Sequence, residues 1–162
     1  MDIDQDLARV ALQEERLRFD RFDAGVAWEL GLALKGAAER RGSEVAIDIS
    51  THAQPLFCHY MAGTTPDNVE WVRRKRNVTL RFFRSSYAIG LILKRDHTNM
   101  QEKFGLGAEY MPHGGSFPIR IAGSTCIGAI TVSGLPQRED HDLLTRALAE
   151  FLGADPTGLA LE

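Results

Sequence analysis

Two apolar runs rich in β-branched residues, 117–122 and 125–132, are separated only by Gly123-Ser124. So short a connection joins antiparallel strands, because parallel neighbours need a crossover of about a dozen residues or more. A glycine leading the pair suits a type II′ turn, which predicts a tight hairpin. A second strand pair precedes it. Val45, Ile47 and Ile49 alternate with Ala46, Asp48 and Ser50, residues 51–54 read as a turn, and residues 55–61 as the returning strand.

The segments around these hairpins carry helical spacing. Leu7, Val10, Ala11, Glu14 and Leu17 predict a helix over 4–19. Asp23 reads as the N-cap of a second helix ending near Arg41, with Gly42 beyond it. Thr65-Pro66-Asp67 opens a third, running to about residue 84. Ile89, Ile92 and Leu93 predict a fourth over 87–95. Leu143, Leu144, Ala147, Leu148 and Phe151 line a last helix over 138–152. Residues 96–115 read as loop, and those after Gly153 as a frayed tail.

This order gives an α+β chain, an antiparallel sheet covered by helices. A dinucleotide-binding fold would need strict strand–helix alternation, and the glycines do not spell its fingerprint. Neither a repeat nor a linker interrupts the pattern, so 1–153 reads as a single domain and 154–162 as its C-terminal tail.

The net charge of −3 gives no general attraction to nucleic acid or to an anionic membrane. The acidic start, Met1-Asp2-Ile3-Asp4, lacks the basic and apolar regions of a signal peptide. No apolar run approaches the roughly 18 residues of a membrane span. A cytoplasmic location is the expectation. Cys58 and Cys126 both lie in strand-like apolar segments and read as buried thiols.

The residues that could carry chemistry gather before the second hairpin, at His113-Gly114-Gly115-Ser116. A ligand's polar group can approach backbone at a glycine pair, since no side chain is in the way. A neutral imidazole can bind a metal or haem iron, or act as an acid or base near physiological pH. Ser116 lacks the strand–turn–helix elbow of a hydrolase nucleophile. The cationic run Arg73-Arg74-Lys75-Arg76 spreads around its helix, because successive residues rotate by about 100°. Arg74 and Arg81 share one face, and Arg73 and Arg84 another. Arg76, four residues after Val72, falls on the apolar side. There it must pair with a carboxylate within the fold or across an interface, snorkel, or meet an anion. Trp71 caps the core or sits at an interface. His52 and His97 read as loop residues, His59 as a core or sheet-face residue, and His141 as solvated near a helix start.

Several segments together resemble the haem-degrading-domain family, which includes GlcG-like proteins, the extracellular haem-binding protein HbpS and the C-terminal domain of PduO. They are Gly63-Thr64-Thr65-Pro66-Asp67-Asn68, Trp71 through Asn77, Arg81-Phe82 with Ser85-Ser86, His113 through Ile119, Thr131 through Gln137, and Glu139-Asp140-His141. The Arg-Arg-Lys-Arg-Asn helix is most like the family's cytosolic branch. The resemblance implies a profilin-like, GlcG-like sheet with helices on both faces, a three-layer α/β/α arrangement, assembled into homodimers or larger homo-oligomers. It also implies haem as a candidate ligand. A fifth strand near 109–111 would complete such a sheet.

Three functional readings follow. In the first, the chain is a homo-oligomeric binding protein for haem or another small anionic ligand. It would use His113, Gly114, Gly115 and Ser116, with Arg74, Arg81 or Lys94 as anion partners. In the second it is a small-molecule enzyme, haem-degrading or related, although no catalytic constellation is evident. In the third it is a protein-interaction scaffold, with Trp71 and Arg76 at the subunit interface. Neither nucleic acid nor membrane is an expected partner.

Overall fold

The computed structural model describes residues 2–161. Six helices and four strands follow one another as α1 (Ile3–Arg16), α2 (Ala24–Arg40), β1 (Ala46–Thr51), β2 (Pro55–Tyr60), α3 (Pro66–Phe82), α4 (Ser86–Arg95), α5 (Met100–Phe104), β3 (Ser116–Arg120), β4 (Cys126–Ser133) and α6 (Gln137–Leu152). The strands form one antiparallel sheet in the order β2-β1-β4-β3.

Alternation along the strands divides the sheet into two unlike faces. Ile47, Ile49, Phe117, Ile119, Ile130 and Val132 point to one face, where Leu30 and Leu34 of α2 and Leu144 and Leu148 of α6 close a core. Burying each such side chain is worth about 1.5–3 kcal/mol, so this layer supplies most of the driving force. The other face is polar. Cys58 pairs in register with Asp48, Asp48 with Thr131, and Thr131 with Ser116, so one polar row crosses all four strands. Helix α3 covers this face. It places the Arg76 guanidinium 2.9 Å from Asp48, so of the alternatives open to a cation beside Val72 the structure has a carboxylate pair within the fold. The sheet thus has helices on both faces, and the chain is α+β as expected.

Several local expectations are corrected. Helix α1 stops at Arg16, because Phe19 leaves to make a parallel bridge with Ile121. That bridge also moves the second hairpin turn. Phe19 N donates to Arg120 O (2.8 Å) and Ala122 N to Phe19 O (2.8 Å), which ends β3 at Arg120. Ser124 N then donates to Ile121 O at 3.0 Å, so Ala122 and Gly123, rather than Gly123 and Ser124, occupy the centre. Residues 109–111 form no strand; Met111 N donates instead to the Arg74 carbonyl of α3.

Helix α3 ends two residues early, at Phe82, where Phe83 turns left-handed (φ 53°). Ser85 then caps α4 through Ala88 N. The stretch 96–115 contains the short helix α5. The tail is docked rather than frayed. Gln13 Nε2 donates to Leu159 O (2.6 Å), Arg9 to Gly158 O (2.6 Å), and Leu159 is buried.

Two side-chain expectations also fail. Cys126 is buried, but Cys58 is exposed, because it lies on the edge strand where the polar face runs beyond its helical cover. His141 is fully buried, since the α6 face that carries it packs against Gln13, Tyr87 and Phe117.

Candidate ligand-binding site

His113 sits at the end of the loop that crosses α3 and α4 before β3 begins. Its position is fixed from three sides. The carbonyl accepts the Ser86 hydroxyl at 2.6 Å, the amide donates to Met111 O at 2.9 Å, and the ring stacks on Trp71 with centroids 5.3 Å apart. Trp71 is held in turn by its indole Nε1, which donates to Asp67 one helical turn earlier (3.0 Å). Neither ring nitrogen of His113 has a hydrogen-bond partner among the described residues. Burial, assisted by the nearby Lys75 charge, pushes its pKa below the ordinary histidine value. The imidazole is therefore neutral at pH 7 and keeps a lone pair for a ligand.

Two cavities meet at this ring. The larger, about 850 Å³, lies between α4, α5 and the 106–113 loop. Leu91, Leu93, Met100, Leu106 and Met111 give it an apolar wall. Its charged lining residues are Lys94 and Arg138, with no carboxylate, and Arg138 is engaged with Asp6 at 3.1 Å. The smaller cavity, about 240 Å³, lies on the Trp71 side and is polar.

Lys75 forms the floor of the smaller cavity, and its ion pair with Asp140 is a feature that sequence reasoning missed. Lys75 Nζ lies 2.7 Å from Asp140 Oδ2, and both side chains are almost entirely buried. Asp140, in the first turn of α6, also accepts Leu135 N (3.0 Å) and Gly134 N (3.4 Å). Burial pushes the lysine pKa down and the carboxyl pKa up. A signal was available: Lys75 lies three residues from both Val72 and Val78, on the covered face of α3. Within the cationic run the same spacing placed Arg76 on the apolar side, and Lys75 received no placement of its own.

The other sequence candidates fall in different places. Gly114 and Gly115 are buried, and their backbone is used by the protein rather than open to a ligand. Gly114 N donates to Gln137 Oε1 (3.2 Å), and Gly115 O accepts Val132 N (2.7 Å). A Cβ on Gly114 would lie 2.1 Å from the Gln137 carbonyl, and one on Gly115 2.2 Å from the Val132 carbonyl. The glycine pair is thus a close-packing device between sheet, α3 and α6. Ser116 is also fully buried, its hydroxyl 2.9 Å from Thr131 Oγ1. Arg74 lies 3.8 Å from Glu70, and Arg81 is exposed and lines neither cavity. Only His113 and Lys94 of the expected set share the larger cavity. Trp71 and Arg76, expected at a subunit interface, both have partners within the chain.

The family model for the haem-degrading protein HbpS-like family matches residues 22–149. The chain belongs to this family. Among related sequences, a UPF0303 protein of Rhizobium meliloti is 55% identical over 163 residues, covering 100% of this chain and 99% of its own. A UPF0303 protein of Burkholderia vietnamiensis is 52% identical over 163 residues, again covering 100% and 99%. Among solved structures, the Ybr137w protein superposes with a TM-score of 0.84 at 31% identity, over 91% of this chain and 89% of that one. HbpS itself gives 0.65 at 20% identity, over 82% and 91%. The PduOC–heme complex gives 0.69 at 16% identity, over 79% and 93%. The last two likenesses establish the HbpS-like fold. No helix among the described residues is long and apolar enough to cross a membrane.

Proposed function

We propose that this HbpS-like chain binds a flat, largely apolar anionic molecule, with haem as the leading candidate, in the cavity between α4, α5 and the 106–113 loop. The observation that carries this reading is a neutral histidine, free at both ring nitrogens, in the wall of an apolar cavity of about 850 Å³ that contains no carboxylate. That volume lies within the roughly 300–1,000 Å³ of small-molecule sites. The residues fit haem in kind. His113 would offer iron a nitrogen ligand, and Leu91, Leu93 and Leu106 would cover the macrocycle. Lys94, for which no ion pair occurs among the described residues, would meet a carboxylate at the rim. Haem, when bound, would supply redox and oxygen chemistry of its own. The chain's residues bind, orient and exclude water.

Haem titration followed in the Soret region tests the reading. A saturable shift with the wild type, lost in His113→Ala and weakened about tenfold in Lys94→Glu, is the expected result for one ligand bond and one charge-assisted contact. A wild-type spectrum equal to haem in buffer would overturn it.

Self-association belongs to the same proposal, and a different surface supports it. Trp28 and Leu32 on α2 are 59% and 48% exposed, and Trp28 packs edge-on against Phe57 of the edge strand β2. An exposed apolar pair beside an unpaired strand edge is a natural seat for a second copy. Light scattering of Trp28→Ala reports on it: a smaller species than the wild type is expected, and an unchanged mass would exclude this surface.

A further inference from the structure

The smaller cavity has the opposite charge balance from the larger one. Its lining holds one cation, Lys75, and two carboxylates, Asp67 and Asp140, so an anion is disfavoured and a small neutral molecule is admitted. Lys75 Nζ donates to Asp140 Oδ2 at 2.7 Å and to Val132 O at 3.3 Å. The third position on its nitrogen has no acceptor among the described residues, and the Trp71 ring centroid lies 6.0 Å from Nζ. The amine is therefore fixed, almost entirely buried and, among the described residues, short of one acceptor at the floor of a cavity of about 240 Å³.

We propose that Lys75 is the amine of an imine-forming site for a small neutral aldehyde or ketone, bound between Trp71, His113 and Gln137. Asp140 serves as its proton carrier. Within the buried pair the ammonium passes one proton to Asp140, leaving a free amine beside a carboxylic acid. Desolvation moves the pair toward this state, since it lowers the lysine pKa and raises that of the carboxyl. The nitrogen lone pair attacks the carbonyl carbon while the C=O π electrons move onto oxygen, which takes the Asp140 proton. The nitrogen then returns a proton to Asp140. The hydroxyl of the resulting carbinolamine leaves as water with that proton, and the nitrogen lone pair closes the C=N bond. A protonated imine remains beside the Asp140 carboxylate, with the same net charge as the starting ion pair. No oxidant or reductant enters.

The chain contains four lysines, Lys35, Lys75, Lys94 and Lys103, which makes the test clean. The full-length protein is incubated with hydroxyacetone at pH 7, reduced with sodium borohydride, and mapped by peptide mass spectrometry. Lys75 is expected to carry the reduced adduct at least about tenfold faster than Lys94, because a free amine attacks where an ammonium does not. Its labelling rate is expected to level off at a lower pH than that of an ordinary lysine amine, because burial lowers the Lys75 pKa. Lys75→Arg, which keeps the ion pair and thus the fold, is expected to abolish that adduct. In Asp140→Asn the rate should fall about a hundredfold, the range for loss of a positioned acid. Adducts confined to the exposed lysines, or none, would overturn the proposal. Haem titration of the larger cavity is read separately, so either proposal can fail alone.

Discussion

Trp71 and His113 stack face to face, with ring planes inclined by 24° and centroids 5.3 Å apart. The indole comes from α3 and the imidazole from the loop before β3, so the contact links two segments 42 residues apart, the difference 113 − 71. It also separates the two cavities. Removing the indole should hydrate the imidazole and raise its pKa toward the ordinary value, because burial is the larger cause of the depression. Proton NMR of the His113 ring should show a titration below pH 6.5 in the wild type that moves upward in Trp71→Ala. An unchanged midpoint would leave the nearby Lys75 charge as the controlling influence.

His141 should make stability depend on acid. Its pKa is pushed down to about 3 by burial, with Arg138 adding to the effect, against about 6.5 in the unfolded chain. Nε2 lies 2.8 Å from Gln13 Oε1, and Nδ1 is buried without a partner among the described residues, so the neutral ring is the form that fits. Below pH 6.5 the unfolded chain binds a proton that the folded chain refuses. Stability is therefore fully present above that pH and declines as the pH falls toward 3, by about 1.4 kcal/mol per unit. Urea titrations between pH 7 and 4 should show this slope, and His141→Gln should flatten it.

Lys75→Met should cost about 3–5 kcal/mol, because it leaves the Asp140 charge buried without its cation. Asn at 140 can still accept from Leu135 N and Gly134 N, so Lys75→Met with Asp140→Asn should recover much of that loss. Chemical denaturation of the two single variants and the double variant gives the coupling directly. Additive losses would mean that the pair contributes through packing alone.

Gly115 and Gly123 offer a contrast between crowding and conformation. Both have positive φ, 119° and 74°. Alanine at 123 meets nothing within 4 Å and should cost about 1–2 kcal/mol for the left-handed backbone alone. At 115 the added carbon would lie 2.2 Å from Val132 O, so the segment entering β3 must shift away from β4 and the loss should exceed about 3 kcal/mol. Thermal melts of the two variants decide this. Equal losses would show that the sheet yields at low cost.

The sequence by itself determined the order of the elements other than α5, the antiparallel hairpins and the placement of Arg76 on the apolar side of α3, because period-2 and period-3.6 patterns and a cation beside Val72 are local facts. It also brought out His113. Only the tertiary structure decided what surrounds that ring. Gly114, Gly115 and Ser116 looked open along the chain, and they are closed because α6 and β4 pack their carbonyls against them. Lys75 and Asp140 stand 65 residues apart and acquire meaning only when α3 and α6 bring them to 2.7 Å. Burial, charge pairing and cavity walls are sums over segments distant in sequence, and local spacing carries no record of them.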